Sequence, residues 1–350
     1  MRRCTCAWLI LVAAGCSSGG SATTSGDAAA PSGDATPSVD SGPLRDGARL
    51  TAALEIPAGA TVVIPAGARI IAASGVVITV RGVLSVAGGA GTHARIGTAD
   101  PNPGAENAWG GIVVDGGGRL DADGLDLAGA ATALTINADS LGARFDHGTI
   151  SDGQVPFQIA AGARLDSQHA TVVNAGAPSG VSGALYVGYL DYQTSADVIG
   201  GIIMTDPGAV FDATDSTFHG APGGGNDYII SYTASLIHVA YSTIIDAHCA
   251  FHFNDVARFE IDHVTAGGAS PAGPGGQVVY GAMLYGSGAG PNVISNSNFM
   301  GSAFGLDQQN ANGPLSITNT YAVGQVALLQ GSQWPAADKA KTPVSDAKPR

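Results

Sequence analysis

The stretch Gly142 to Ile150, GARFDHGTI, decides the fold of this chain, because variants of it return. It comes back as GARLDSQHATV at Gly162 to Val172 and stands earlier as GGRLDADGLDL at Gly117 to Leu127. Arg, an apolar residue, Asp and then a His or a second acid is either a catalytic signature or the rung of a ladder, and a regular period favours the ladder. A broader template exposes the period: an apolar or small residue, an outward position, a polar corner residue, and an apolar residue five positions after the start. Ala122 to Leu127, Ser167 to Val172, Ala213 to Phe218, Val239 to Ile244, Ile261 to Ala266, Ile294 to Phe299 and Ile317 to Ala322 fit it, as does Phe145 to Ile150. Their closing residues, 127, 150, 172, 218, 244, 266, 299 and 322, are separated by 23, 22, 46, 26, 22, 33 and 23, and the 46 reads as twice 23.

A period in the low twenties without helical spacing of apolar residues marks a solenoid, in which each coil buries its face against the next. LSITNTY and FEIDHVT alternate with period two, so the units are strands with one face in and one face out. Gly at 52 of 350 residues and only 6% aromatic residues suit a tight coil with many turns. At about 4.8 Å per stacked strand, some ten coils of about 22–25 residues make a rod roughly 50 Å long. The fold class expected is all-β, a single solenoid over residues 45–330.

Asn296 in ISNSNF and Asn319 in ITNTY fall at one corner of the repeat. That pattern resembles the right-handed parallel β-helix of the pectin-lyase-like superfamily, where stacked corner asparagines bond to turn backbones. LEIPAGATVVIPAGARI, VRGVLSVAG and AWGGIVV with Trp109 look like the opening coils of bacterial surface β-helix proteins. The resemblance covers roughly residues 50 to 330 and implies a fold, because fold alone does not fix a reaction. His147, His169, Asp215, Tyr241 and His263 fall at the position of the two asparagines and are expected as corner residues. Arg119 with Asp121, Arg144 with Asp146, Arg164 with Asp166 and Arg258 with Glu260 are expected as exposed pairs on the outer face, worth about 0 to 1 kcal/mol each.

The N-terminus, MRRCTCAWLILVAAGC, has two arginines and then an apolar run too short to span a bilayer, the design of an export signal at residues 1–15. Its end, Ala13-Ala14-Gly15-Cys16, resembles the lipobox of bacterial lipoproteins, which implies acylation of Cys16, membrane anchoring and, with Ser17 following, the outer membrane. An ordinary signal cleaved nearby is the alternative. Residues 16–44 carry no aromatic side chain and read as a flexible linker with a root-mean-square reach of roughly 30 Å. With Cys4 and Cys6 in the signal and Cys16 lipidated, only Cys249 remains; in CAFHF it shares parity with Phe251 and Phe253 and reads as core. Residues 331–350 hold all three lysines and read as a tail, with Trp334 placed to cap the last coil.

A formal charge of −13 with 15 Lys and Arg excludes a nucleic-acid partner. It also disfavours a polyuronate lyase, since between Leu165 and Asp338 the only Lys or Arg is Arg258. Eight of the nine tyrosines lie between Tyr186 and Tyr285, and IDAHCAFHFND concentrates Asp246, His248, His252, Asn254 and Asp255. Alternation sends His252 and Asn254 outward, so Tyr186, Tyr228 or Tyr232, His252, Asn254 and Tyr280 are candidates for an aromatic strip that binds a neutral or basic polysaccharide lengthwise.

Glycoside hydrolysis needs two carboxylates about 5 to 9.5 Å apart. Asp246, Asp255 and Asp262, with His252, are the catalytic candidates if the chain is an enzyme, although the Asn-Thr-Asp and Gly-His-Gly motifs of hydrolases in the superfamily are absent. His248 and His252, four residues apart in an extended strand, lie roughly 13 Å apart and cannot share an ion. No metal or cofactor is called for, and a monomer is expected. The leading function is recognition of polysaccharide or a structural role at the cell envelope; a carbohydrate-active enzyme is the alternative.

Overall fold

The computed structural model describes residues 42–100, 105–195, 198, 200–220, 227–267, 280–284, 290–300, 307–308, 315–323 and 344–345. Cys16, the linker as far as Ser41, and Trp334 lie outside them; the linker's last three residues, Gly42–Leu44, form a 3-10 turn whose Leu44 is buried in the core. The described chain is a parallel β-solenoid of about 10 turns with three sheets. The first sheet has 13 strands beginning at Arg49–Leu50, the second 11 beginning at Leu54–Ile56, and the third 11 beginning at Thr61–Ile64. The chain visits the sheets in rotation, so strands three positions apart pair, always in parallel; Val344–Ser345 instead joins the described strand just before it, Tyr321–Val323.

Alternation builds the interior. Leu127, Ile150, Val172, Tyr192, Phe218, Ile244 and Ala266 oppose one another in register on consecutive strands of the first sheet, and all are buried. The row reveals the coil hidden in the interval of 46: Val187 to Tyr192 closes it, and the spacing is 20 then 26, not twice 23. A corner tyrosine and a closing tyrosine masked it. The interval of 33 is a single coil, since Ala266 pairs directly with Phe299.

The corner from the third sheet to the first is built alike on nine consecutive coils. Gly124, His147, His169, Tyr189, Asp215, Tyr241, His263, Asn296 and Asn319 all have φ between 48° and 74°, the left-handed region. His147 N–H donates to the Gln168 carbonyl, His169 to Gly188, Tyr189 to Thr214 and Asp215 to Ala240, each one coil onward. The next residue turns inward, and where it is Ser216, Ser242, Ser297 or Thr320 its hydroxyl donates to the carbonyl two residues back, at 2.6 to 3.0 Å. The corner backbone is therefore hydrogen-bonded from both sides.

The Arg and acid pairs form as expected, with one correction. Arg144 stands two residues out of step with the others and opposes Asp121 on one side and Asp166 on the other. Its partner Asp146 is not exposed: it is 3% accessible and accepts from Arg144 Nε at 2.6 Å and from the Gln168 N–H at 2.9 Å. Cys249 is buried, as its parity indicates.

Candidate functional site

The residues proposed for one aromatic strip lie on three different surfaces. Tyr186 is half-buried on the outer face of the third sheet, with the Arg164 guanidinium 4.3 Å from its ring centre. Tyr232 is 57% exposed and Asn254 half-buried; both follow strands of the second sheet, at the turn to the third, one coil apart. His252 lies on the second sheet. Tyr280 begins the strand Tyr280–Leu284 and pairs with Cys249; its side chain lies outside the described residues.

Tyr228 is a correction, because it is fully buried. Strand Asp227–Ser231 does not alternate at its start: Asp227 pairs with Cys249 and Ile229 with Phe251, and residues 228 to 231 are all buried. The Tyr228 hydroxyl has the Tyr192 and His219 carbonyls as acceptors, each at 2.8 Å. The Tyr192 hydroxyl donates to the Gly201 carbonyl at 3.0 Å and meets Ser179 Oγ at 2.9 Å. Burial pushes both phenols above their ordinary range. These tyrosines are core residues with satisfied polar tips.

The carboxylates nominated for hydrolysis stand at separate stations. Asp246 occupies a left-handed position before strand Cys249–Phe253, and Asp255 follows that strand. Five extended residues set them about 16 Å apart, outside the range in which two carboxyls share a glycosidic bond. Asp262 ends the seven-residue strand Val256–Asp262, farther still from Asp255. There it accepts from Ser295 Oγ at 2.6 Å, Asn296 Nδ2 at 2.9 Å and His263 Nδ1 at 2.7 Å. Burial raises its pKa, but these donors outweigh it and hold the carboxyl below its usual range. Asp262 thus holds a corner together.

His248 and His252 come closer than an extended strand allows, because His248 precedes the strand instead of lying in it. Both reach one carboxylate: His248 Nδ1 lies 2.9 Å from Asp227 Oδ1, and His252 Nδ1 lies 2.5 Å from Asp227 Oδ2. Burial raises the Asp227 pKa and the two histidines more than offset it, so the carboxyl titrates below the ordinary value. Among the described residues no three His, Cys, Asp or Glu side chains form a group that could hold a metal ion.

Two linear arrays face solvent. On the outer face of the third sheet, Asp121, Arg144, Asp166, Tyr186, Asp212, His238 and Glu260 stand in direct register on seven consecutive strands. His238 Nδ1 lies 2.8 Å from Asp212 Oδ1, and this bond raises the histidine pKa. The second array is the left-handed corner. The His147 and His169 rings stack at 5.0 Å and 2°, His169 and Tyr189 at 4.5 Å and 6°, and Tyr241 and His263 at 4.6 Å and 18°. Tyr189 was missing from the sequence reading because its coil was not resolved there; the VGYLDY frame carries the signal.

The fold and these rows define a class: an all-parallel β-solenoid with register-matched polar and aromatic rows on its outside. Comparison with protein-family models, curated proteins and solved structures finds no match for this chain.

Proposed function

We propose that the chain is a cell-envelope lipoprotein, anchored to the outer membrane through Cys16, whose β-helix presents a carbohydrate-binding surface. The observation that carries this reading is the seven-strand row from Asp121 to Glu260. Hydrogen-bonding groups recurring once per coil, about every 4.8 Å, suit a linear polymer of polar units laid along the axis. Tyr186 at its centre offers an apolar ring beside carboxylates, a pairing that suits the apolar faces and hydroxyls of sugars. The acidic balance of the row, and of the chain at −13, favours a neutral or basic glycan.

The test is incubation of the whole protein with neutral, basic and acidic polysaccharides, following retention and release of reducing ends. Retention of neutral or basic polymers that weakens about tenfold in Tyr186→Ala is the expected result, on the scale of one aromatic platform. Retention unchanged in Tyr186→Ala and Asp212→Asn removes the third sheet as the site. Anchoring is tested separately: Cys16→Ala moves the protein from the membrane to the soluble fraction.

One observation favours the enzymatic alternative. Asp212 and Glu260 flank His238 two strands apart, about 9.6 Å, near the upper limit for an inverting glycosidase. Reducing-end release abolished by Glu260→Gln would select it.

A further inference from the structure

The ring stack at the left-handed corner is interrupted once. Tyr189 covers one face of its ring with His169, and Tyr241 covers one face of its ring with His263. The other face of each ring is turned toward the coil between them, where the corner residue is Asp215. Two coil spacings put the ring planes about 9.6 Å apart. Tyr189 is 55% and Tyr241 59% exposed, and Asp215 is exposed. An aspartate is shorter than a tyrosine, so its carboxylate forms the floor of the gap and leaves the outer part open. Neighbouring corner side chains are engaged: His147 with Asp123, His263 and Asn296 with Asp262, Asn319 with Asn296. The Asp215 carboxylate has no hydrogen bond or ion pair among the described residues.

We infer that Tyr189, Asp215 and Tyr241 form a slot for an organic ammonium ion, best filled by a methylated one. A cation centred in the gap sits about 4.8 Å from each ring centre, inside the roughly 6 Å over which a ring face attracts a positive charge. Two faces and a carboxylate are the elements from which quaternary ammonium sites are built. Thickness sets the preference: a flat guanidinium touches both rings only when they are about 7 Å apart, whereas a rounded trimethylammonium fills about 9.6 Å. The slot lies at the corner beside the third sheet, not on its outer face. It is therefore independent of the carbohydrate row, and either can fail without the other.

Asparagine occupies the same corner at positions 296 and 319, so Tyr189→Asn and Tyr241→Asn remove a ring while keeping a side chain suited to left-handed backbone. Asp215→His continues the stack and closes the gap. The experiment is titration of the whole protein with tetramethylammonium and choline, with 3,3-dimethylbutanol as the uncharged isostere, followed by calorimetry and by the tyrosine ring resonances.

Saturable binding of the two cations is expected, with at least about tenfold preference over the alcohol and about tenfold loss in each tyrosine variant. Asp215→His is expected to abolish binding while the melting temperature holds. Equal binding of the alcohol, binding that survives Tyr241→Asn or Asp215→His, or no saturation with either cation overturns the inference. Phosphatidylcholine vesicles and a trimethyl-lysine peptide, tested on the same variants, separate a lipid headgroup from a modified side chain as the source of the ammonium.

Discussion

The two halves of the solenoid turn their corners differently. From residue 42 to 129 every left-handed position among the described residues is a glycine; from His147 onward eleven are not. Left-handed backbone costs an ordinary L-residue about 1–2 kcal/mol, less for Asn and Asp. The later coils offset this with ring stacks and side-chain bonds between coils, each worth about 0.5–1.5 kcal/mol. The interior changes in parallel. Among the described residues Trp109 is the only fully buried aromatic residue before Phe145, whereas Tyr192, Phe211, Phe218, Tyr228, Phe251, Phe253 and Phe259 fill the later coils. Glycine corners close a slim aliphatic tube and present nothing outside, while side-chain corners turn the same backbone into a surface with chemistry on it.

The largest effect expected from breaking this difference is in the aromatic interior. Phe218 packs edge-on or tilted against Tyr192, Phe211 and Tyr228, with centroids 5.9 to 6.4 Å away. Phe218→Ala is expected to cost about 3–5 kcal/mol in denaturant unfolding. A cost near 1 kcal/mol would show that the wide coils are not held by their rings.

Next comes the exchange of corner types. Gly124 occupies the same row as His147, yet a Cβ there would lie 2.4 Å from the Gly89 carbonyl oxygen and 2.8 Å from its nitrogen. Gly117, also left-handed at φ 79°, has open space around it. Both alanine variants bear the conformational cost, and Gly124→Ala is expected to lose about 1–3 kcal/mol more than Gly117→Ala because backbone must move. Equal melting temperatures would mean that the early turn yields.

Smaller still is the loss of one ladder rung. Asn296 donates to Asp262 at 2.9 Å and accepts from Asn319 Nδ2 at 2.7 Å. Asn296→Ala is expected to cost about 1–2 kcal/mol, and Asn296→Gly less, since glycine restores the backbone but not the bonds. Both variants lose the bonds, so their difference isolates the backbone, and a glycine variant that is the worse of the two would show that left-handed φ costs alanine little at this corner.

The solenoid was legible because one corner recurs with the same parity at intervals that are mostly 22 to 26 residues, with one of 20 and one of 33, and His147, His169, Asp215, Tyr241, His263, Asn296 and Asn319 all fell where the left-handed residues stand. What stayed hidden has physical causes. The coil ending at Tyr192 is 20 residues long and closes on a hydroxyl-bearing tyrosine, so a template of apolar closers passed over it. Tyr228 stood as an alternative to Tyr232 because DYIISY lacks a clean match to the repeat; the strand keeps its register, yet its side chains from 228 to 231 are all buried, so parity does not tell the two tyrosines apart. Parity tells which face a side chain takes, not which neighbour it meets. The convergence of His248 and His252 on Asp227, and the place of Arg144 between Asp121 and Asp166, were therefore outside its reach.

The smallest expected effect is electrostatic and centres on His238 in the later coils. His238 has its pKa raised, chiefly by its bond to Asp212, with the carboxylates of Glu260 and Asp262 adding to it against partial burial. A histidine that titrates higher folded than unfolded adds stability that is fully present below about pH 6.5 and is lost as pH rises through the folded value. Asp227 has the opposite sign: its folded pKa is lowered, so its contribution is present above about pH 3.9 and disappears as pH falls through the folded value. Melting temperature measured against pH should therefore decline gently above pH 6.5, and His238→Gln should flatten that decline without altering the acid limb. A slope that survives the substitution would move its origin to another histidine and detach the third-sheet row from the pH response.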